Sequence, residues 1–121
     1  MRDHSKLKVF GLADQLTMQV YRRTTEFPVT ERYGLQSQMR RAAVSIAANI
    51  VEGCSRSTHN EYLRFIEIAY GSARELQYEI SVAQRLGYFA GTDGQRLYDE
   101  CTATAKALNA LLRALHDQQQ Q

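Results

Sequence analysis

Residues 58–87 read THNEYLRFIEIAYGSARELQYEISVAQRLG, and this stretch decides the fold. Apolar or small residues recur along it at alternating spacings of four and three positions, which is a heptad pattern. The pattern predicts a long α-helix with one buried face. Thr58 and Glu61 at its start have the spacing of a capping box, which predicts where the helix begins. The residues of the buried face are Tyr62, Ile66, Ala69, Ala73, Leu76, Ile80, Ala83 and Gly87.

Three more amphipathic segments flank this helix. Apolar residues repeat with helical spacing before Phe27-Pro28, after Gly34 and again near the C-terminus. The first helix should end at the proline, because proline pushes the residue before it out of the helical conformation. Glycine in the left-handed conformation commonly ends a helix, which predicts one stop at Gly53 and another at Gly87 or at Gly91 beyond it. The predicted helices span residues 7–25, 35–52, 58–87 and 93–116, followed by a polar tail over 117–121.

The composition is typical of one helical domain. The chain has 121 residues with one proline and no tryptophan, and 44% of the residues are hydrophobic. This length is common for a single domain. Four helices joined by short loops predict an all-α, up-down-up-down antiparallel four-helix bundle. The predicted core positions outside the third helix are Val9, Leu12, Ala13, Leu16, Val20, Thr24, Leu35, Met39, Ala42, Ile46, Asn49, Leu97, Cys101, Thr104, Leu108, Leu111 and Leu115.

The second helix is apolar on nearly all sides. Residues 42–51 read AAVSIAANIV, so a core face centred on Ala42 and Ile46 leaves another apolar face on the opposite side. A second copy of the chain is the natural partner for such a face, which predicts a homo-oligomer. The alternative is a central helix whose back is covered by loops or by the N-terminal segment. The candidate interface residues are Val44, Ala47, Ala48 and Val51.

The basic residues are concentrated in the N-terminal half. The net charge is +2 overall, but it is +4 over residues 1–64 and −2 over residues 65–121. Twelve of the 15 basic residues are arginine, whose guanidinium group suits forked contacts to phosphates or carboxylates. The charge is smaller than that of a dedicated nucleic-acid-binding domain, so its distribution matters more than its sum.

Three arginines are the candidate nucleic-acid-binding residues. Arg40 and Arg41 lie early in the second helix, and Arg56 lies in the loop that follows it. They could line a basic surface whose affinity comes from phosphate contacts, with little readout of bases. They could equally form ion pairs with acidic residues within or between subunits. The acidic residues considered for such pairs are Glu52, Glu61 and Glu67.

The aromatic and charged residues of the third helix are expected to serve the bundle. Tyr62, Tyr70 and Tyr78 fall on or near its packed faces, which disfavours stacking on the bases of a single strand. The acidic residues and arginines of this helix have the spacing of ion pairs on a solvated face. Those residues are Glu61, Glu67, Glu75, Glu79, Arg64, Arg74 and Arg85.

The sequence lacks most signatures of enzymes and metal sites. It contains no glycine-rich phosphate loop, no His-Glu-x-x-His motif and no Glu-x-x-His pair of the kind that holds di-iron centres. His4, His59 and His116 are far apart, and Cys54 and Cys101 do not have metal-ligand spacing. We therefore expect no catalytic residue, no metal and no cofactor.

The cellular setting is expected to be the cytoplasm. The N-terminus lacks the apolar segment of a signal peptide, and no apolar run is long enough to span a membrane. Two free thiols suit a reducing compartment. Cys101 falls on the predicted core face of the last helix, so we expect a buried structural thiol there.

Several motifs together resemble those of a known family. They are YxxxxxFP (21–28), ERYGLxxQMRRAAxSI (31–46), NIxEGxxR (49–56), YxxFxxIAxGSxxEL (62–76) and LGY (86–88). In these motifs the chain resembles the four-helix-bundle family of 23S rRNA intervening-sequence proteins, from about residue 6 to residue 115. The resemblance assigns no role to five of the motif residues, which are Asn49, Glu52, Gly53, Gly71 and Ser72.

The resemblance implies a bacterial, cytosolic bundle that assembles as a homopentamer. Relatives of this family include the accessory variability protein of diversity-generating retroelements, which binds nucleic acid and a reverse transcriptase. Glycine inside a helix costs about 1 kcal/mol of stability relative to alanine, so a glycine in mid-helix needs a reason. From the residues themselves, the reason suggested for Gly71 and Ser72 is a close approach of two helices. Asn49 suggests a buried amide that specifies helix register.

Two functions remain in contention. The first is a non-enzymatic homo-oligomer that binds structured RNA or another nucleic acid through arginine-rich surfaces. The alternative is a protein-interaction scaffold, or an accessory subunit that docks on a partner enzyme such as a reverse transcriptase. The small net charge suits the alternative, whereas the N-terminal charge and the arginine bias favour nucleic acid.

Overall fold

The computed structural model describes residues 2–119 of the chain. This part of the chain contains four α-helices, two single 3-10 turns and no β-strand, which confirms the all-α class. The turns are His4–Lys6 and Val29–Glu31. The helices are α1 (Lys8–Thr24), α2 (Leu35–Cys54), α3 (His59–Arg85) and α4 (Asp93–Gln119).

The helix ends differ from the predicted ones by a few residues. Helix α2 continues two residues further, to Cys54, and α3 ends two residues earlier, at Arg85. Helix α4 continues through the first part of the predicted polar tail to Gln119. The last two residues of that tail, Gln120 and Gln121, lie outside the described residues.

Consecutive helices lie side by side, and α4 returns to pack against α1. Their hydrogen bonds give the direction of each pair. The hydroxyl groups of Ser45 in α2 and Ser72 in α3 are 2.8 Å apart, while Gly53 near the end of α2 lies against Tyr62 near the start of α3. Between α3 and α4, Gln77 donates to Thr102 over 2.8 Å, and Nε2 of His59 lies 2.9 Å from the carbonyl oxygen of Leu115. Between α1 and α2, Thr17 donates to the carbonyl oxygen of Ala43, and Arg40 donates to Thr24. These pairings run in opposite directions along the chain, so neighbouring helices are antiparallel.

The core combines one face from each helix. The predicted seam of α3 is buried from Tyr62 to Ala83, but Gly87 lies beyond the helix and is exposed. In α2 the buried face includes Ala43 and Ile50, which the predicted seam omitted, while Asn49 is only half-buried. The face is therefore turned from the predicted one, because α2 packs between α1 and α3 rather than against one partner.

Two predicted glycine stops have different outcomes. Gly87 has a φ of +74° and ends α3, and the N–H groups of Gly87 and Tyr88 donate to Gln84 and Ala83 over 3.0 Å, as in a Schellman motif. Gly53 is not a left-handed stop: it lies inside α2, and the positive-φ glycines of the described residues are Gly87 and Gly91.

Gly53 instead permits the close contact between α2 and α3. A Cβ atom at this position would lie 2.9 Å from Phe65 Cβ and 3.3 Å from the ring of Tyr62. Any larger residue would push the two helices apart where the short loop joins them. The prediction of a stop at Gly53 was wrong because it considered only the local chain, whereas the requirement comes from the neighbouring helix.

An aromatic cluster closes the end of the bundle where α1 joins α2. The ring of Phe27 is buried 5.3 Å from the ring of Tyr88 and 5.2 Å from that of Phe89. Glu31 accepts hydrogen bonds from the N–H of Leu35 (3.1 Å) and from the hydroxyl of Tyr88 (2.8 Å), and these bonds lower the pKa of Glu31. The loop between α1 and α2 is thereby held to the loop between α3 and α4.

Candidate nucleic-acid interface

The three candidate arginines do not form one cluster. Arg40 and Arg41 lie on neighbouring sides of α2 near its start, and Arg56 follows its end. Fifteen residues separate Arg41 from Arg56, which corresponds to roughly 20 Å along a helix axis. Arg41 is exposed, whereas Arg40 and Arg56 are half-buried and make contacts within the chain.

Arg40 holds the end of α1. Its Nε donates to the hydroxyl of Thr24 over 3.0 Å, and its Nη2 donates to the carbonyl oxygen of Tyr21 over 3.2 Å. The guanidinium carbon lies 4.7 Å from the centre of the Tyr21 ring. The carbonyl oxygen of Tyr21 also accepts a hydrogen bond from the hydroxyl of Thr25 over 2.9 Å. The positive charge of Arg40 therefore lies at the carbonyl end of α1, which the helix dipole favours, and covers the ring of Tyr21.

Arg56 belongs to a local assembly at the opposite end of α2. Its Nη2 pairs with the carboxylate of Glu52, and its guanidinium lies over the ring of Phe65. The carbonyl oxygen of Arg56 accepts a hydrogen bond from Arg2, whose own guanidinium lies 3.9 Å from the centre of the Tyr62 ring. Of the two roles considered for this arginine, the ion pair with Glu52 is the arrangement that the structure contains.

Arg41 lines a groove with two residues that sequence reasoning did not single out, Arg32 and Tyr33. The groove lies between the end of α1, the following loop and the start of α2, and has a volume of about 690 Å³. Its lining contains three arginines and no acidic residue. The lining residues are Tyr21, Arg32, Tyr33, Gln36, Ser37, Arg40, Arg41, Val44 and Ser45.

Two tyrosine side chains are largely exposed. Tyr33 is 90% exposed and Tyr78 is 66% exposed, so the expectation that Tyr78 lies against a packed face was wrong. On α3, Tyr78 falls outside the seam that packs in the core. The signal for Tyr33 was its place beside Gly34, in the bend before α2, where a large ring has no helix to pack on.

Part of the candidate oligomer interface forms an exposed apolar face. Val44 is 42% exposed and Val51 is 36% exposed, and Ala48 lies exposed between them on α2. Ala47 is different, because it is half-buried and packs against the core. On α3, Ile68 is also exposed, at 43%, and was not among the predicted interface residues. The helical spacing of the seam leaves it outside the core, which is the signal that could have found it.

Gly71 does not mediate a close approach of two helices within the chain. It is exposed on α3, and a Cβ atom added there would have no atom within 4 Å. The prediction of a close helix approach at Gly71 was therefore wrong within this chain. Gly71 lies on the surface of α3 and not in the core.

Comparisons with known proteins agree with this architecture. The family model described as 23S rRNA-intervening sequence protein matches residues 5–110. The chain belongs to the 23S rRNA-intervening sequence protein family. A crystal structure of a protein of unknown function, from the S23 ribosomal protein family of Bacteroides thetaiotaomicron VPI-5482, is similar with a TM-score of 0.77. It is 19% identical, and the alignment covers 86% of this chain and 97% of that one. No curated protein matches the chain.

Three motif residues of this 23S rRNA-intervening sequence protein form a polar link between α2 and α3. The amide of Asn49 donates to the carbonyl oxygen of Ser45 over 2.8 Å and lies 3.0 Å from its hydroxyl. The hydroxyl of Ser45 in turn lies 2.8 Å from that of Ser72. Asn49 itself makes its bonds within α2, so it can influence helix register only through the serine that it orients.

The buried faces of the helices also hold two thiols that ionise with difficulty. Cys101 is fully buried as predicted, its thiol donates to the carbonyl oxygen of Ala73, and burial raises its pKa to about 12. Cys54 is buried near Tyr62, and burial raises its pKa as well. Both thiols are free. Their environments disfavour the thiolate that reactive cysteines require.

The prediction that ion pairs form along α3 was wrong. Among residues 2–119 the ion pairs are Arg23 with Asp93 and Arg56 with Glu52, and none lies within α3. Glu79 is buried instead, being 5% exposed, because it falls beside the seam and not on the solvated side. In the same part of the chain, no three metal-ligating side chains come together and no helix is long and apolar enough to cross a membrane.

Proposed function

We propose that this member of the family is a non-enzymatic, homo-oligomeric module that binds nucleic acid through arginine side chains at one end of the bundle. The observation that carries the proposal is the groove at the α1–α2 junction, whose lining has three arginines and no acidic residue. Neither ion pair of the described residues involves Arg32 or Arg41, and both side chains are exposed. Unpaired guanidinium groups attract phosphates.

The charges around the groove support binding more strongly than the net charge of +2 does. Arg22, which is exposed near the end of α1, adds a positive charge at the same end of the molecule. At the far end of α2, Arg56 is neutralised by Glu52, so it contributes less to such a surface. We therefore assign the phosphate contacts mainly to Arg41 and Arg32, and to Arg40 the task of holding the end of α1. We further propose that the protein acts in the cytoplasm of a bacterium, where nucleic acids supply the phosphates for these contacts.

A titration at two salt concentrations tests this proposal. Labelled hairpin RNA, duplex DNA and single strands should be titrated with the purified protein at about 50 mM and about 200 mM salt, where a complex held by phosphate contacts weakens steeply. Arg41→Glu should weaken binding, and Arg113→Glu, an equal charge change at an exposed position of α4, should not. Absence of binding by the wild type at the lower salt concentration would refute the proposal.

The homo-oligomer is supported by the exposed apolar face of α2 and α3. Val44, Ala48 and Val51 are exposed on α2, and Ile68 and Gly71 are exposed on α3. The register of the two helices, given by the contacts of Ser45 with Ser72 and of Gly53 with Phe65, brings these two exposed stretches to the same level of the bundle. Small and apolar side chains at such a face allow two helices of different subunits to approach closely. The family resemblance implies that this association closes as a pentamer. A ring of subunits would also multiply the grooves, and with them the affinity for a long polyanion.

Light scattering on charge-introducing variants tests the oligomer. Val44→Glu and Ala48→Glu should lower the mass to that of the monomer, because each places a carboxylate in a desolvated contact. Met18→Glu is the matched control, since Met18 is 48% exposed on α1, away from the proposed face. An unchanged mass for both α2 variants, or dissociation by the control alone, would show that the wrong face was chosen.

The alternative is a scaffold that docks on a partner protein such as a reverse transcriptase. One observation favours it, namely an open groove of about 530 Å³ between α1 and α4 that is lined in part by the half-buried Leu12 and the exposed Met18. This groove contains acidic and basic residues together, so it lacks the single sign of charge that a polyanion site needs. Wild-type protein that binds no nucleic acid at low salt would favour this alternative.

A further inference from the structure

The groove at the α1–α2 junction has the size and chemistry of a nucleotide site. Its volume of about 690 Å³ falls within the range of small-molecule pockets, about 300–1,000 Å³. Tyrosine rings, guanidinium groups and small polar side chains line it together. A surface that only attracted phosphates would not need the aromatic rings.

Tyr33 is the unusual residue of this groove. Its side chain is 90% exposed, although an aromatic ring in water forgoes the free energy of burial. The backbone on either side is nevertheless held in place: Glu31 accepts hydrogen bonds from Leu35 and from Tyr88, and α2 begins directly after Gly34. The ring is therefore presented to solvent from a fixed segment of the chain.

The arginines of the groove differ in how they are held. Arg40 is committed to Tyr21 and Thr24, and it covers the ring of Tyr21. Arg32 and Arg41 are exposed, and no ion pair engages them. The result is an uncovered ring at Tyr33 together with two free guanidinium groups in one groove.

We propose that this groove binds an unpaired nucleotide of a nucleic acid, with the base stacked on Tyr33 and the flanking phosphates at Arg32 and Arg41. The inference rests on the proposed nucleic-acid function and adds the site and the ligand class. An aromatic face accepts any base, and guanidinium groups accept phosphate oxygens, so the site selects unpaired over paired strands without reading a sequence. An acidic peptide would use the two arginines but would leave the exposed ring without a partner.

The expected structural preference separates this site from general charge attraction. In a duplex the bases are stacked on one another and are closed to Tyr33, whereas in a loop or single strand they are available. Hairpin RNA with an unpaired loop and single-stranded DNA should therefore bind more tightly than a duplex with the same number of phosphates. Comparing the hairpin with the DNA strand distinguishes the two sources of unpaired nucleotides.

Fluorescence anisotropy with tyrosine variants tests the proposal. Tyr33→Ala should weaken binding of the hairpin about fivefold or more, since stacking one base on an aromatic ring is worth roughly 5- to 150-fold in affinity. Tyr33→Phe keeps the ring and should bind as the wild type does. Tyr78→Ala removes another exposed tyrosine, on the outer side of α3, and should have no effect. Replacing Arg32 or Arg41 by glutamine should reduce the salt dependence by about one phosphate contact each.

The outcomes distinguish the site from the function. If the wild type binds the hairpin and Tyr33→Ala binds equally well, the groove is not the site, although the protein still binds nucleic acid. Equal affinity for duplex and hairpin would likewise overturn the stacking role. Failure of the wild type to bind any nucleic acid would refute the proposed function itself. Circular dichroism and light scattering on every variant show whether a loss of binding comes from lost helix or from a changed oligomer. The second control is needed because the groove adjoins the proposed oligomer interface, and Val44 belongs to both.

Discussion

Replacing Glu79 by glutamine should stabilise the protein near pH 8 and leave its stability almost unchanged near pH 4.5. Glu79 is 5% exposed, and its Oε1 atom has no hydrogen-bond partner. Burial raises the pKa of Glu79 from 4.5 to about 7, helped by the negative charge of Glu75 one turn earlier and by a hydrogen bond to it. The folded protein therefore keeps a proton on Glu79 at pH values where the unfolded chain has lost it.

The sign and size of the effect follow from this difference in pKa. Between about pH 4.5 and about pH 7 the folded state binds more protons than the unfolded state, so stability falls as the pH rises. The full difference corresponds to on the order of 3 kcal/mol once both states are ionised. Glutamine has nearly the same shape and no proton to lose. At pH 8 the variant should therefore melt up to roughly 10 °C above the wild type.

Thermal and urea unfolding, followed by circular dichroism at several pH values, measure the effect. The difference in unfolding free energy between the variant and the wild type should grow from near zero at pH 4.5 to its full value at pH 8. Glu67→Gln, the same change at an exposed position of α3, is the control and should show no such trend. All samples need one protein concentration, because association adds to apparent stability. A difference that stays flat with pH, or a variant less stable at pH 8, would refute the reasoning.

Two further changes test the packing around α3, and a third tests the hydrogen bond between the two loops at the closed end of the bundle. Gly53→Ala should destabilise the protein, on the order of 1–3 kcal/mol by urea unfolding, because the added methyl group would lie 2.9 Å from Phe65 Cβ; a stable variant would show that the helices can separate there at little cost. Gly71→Ala should lower the oligomer mass, because the added methyl group would lie in the proposed interface, and it should raise the stability of the monomer by about 1 kcal/mol, since nothing of the same chain lies within 4 Å; an unchanged mass would exclude this glycine from the interface. Tyr88→Phe should raise the pKa of Glu31 towards its ordinary value, because it removes one of the two hydrogen bonds that lower this pKa. NMR of the carboxyl carbon measures the change, and an unchanged pKa would mean that the N–H of Leu35 alone determines it.

The motif residues of the family fall into two groups in the structure. Phe27, Glu31 and Tyr88 hold the closed end of the bundle together, and Ser45 and Ser72 join α2 to α3. Because these contacts explain their presence by packing and hydrogen bonding, they need no ligand. The residues left without such an explanation are exposed ones, including Tyr33, Arg41 and Gly71, and these carry the proposals on binding and assembly.

The sequence by itself determined the helices and most of the core. The alternation of four and three from Tyr62 to Ala83 describes one face of a helix, and that face is buried in the structure. Such periodicity depends only on the geometry of the α-helix, so it can be read without knowing any neighbour. The start of α3 at Thr58 follows for the same reason, because its hydroxyl accepts the N–H of Glu61 within one turn.

The tertiary structure alone decided which polar and small residues are free. Arg40 and Arg41 are adjacent in sequence, yet one is bonded to α1 and the other faces a groove. Gly53 and Gly71 look alike in a helical sequence, but only Gly53 faces another helix at close range. Exposure and partnership depend on atoms that other helices bring near, and no local pattern records them. The candidate binding groove, assembled from α1, a loop and α2, therefore became visible only once those segments were placed together.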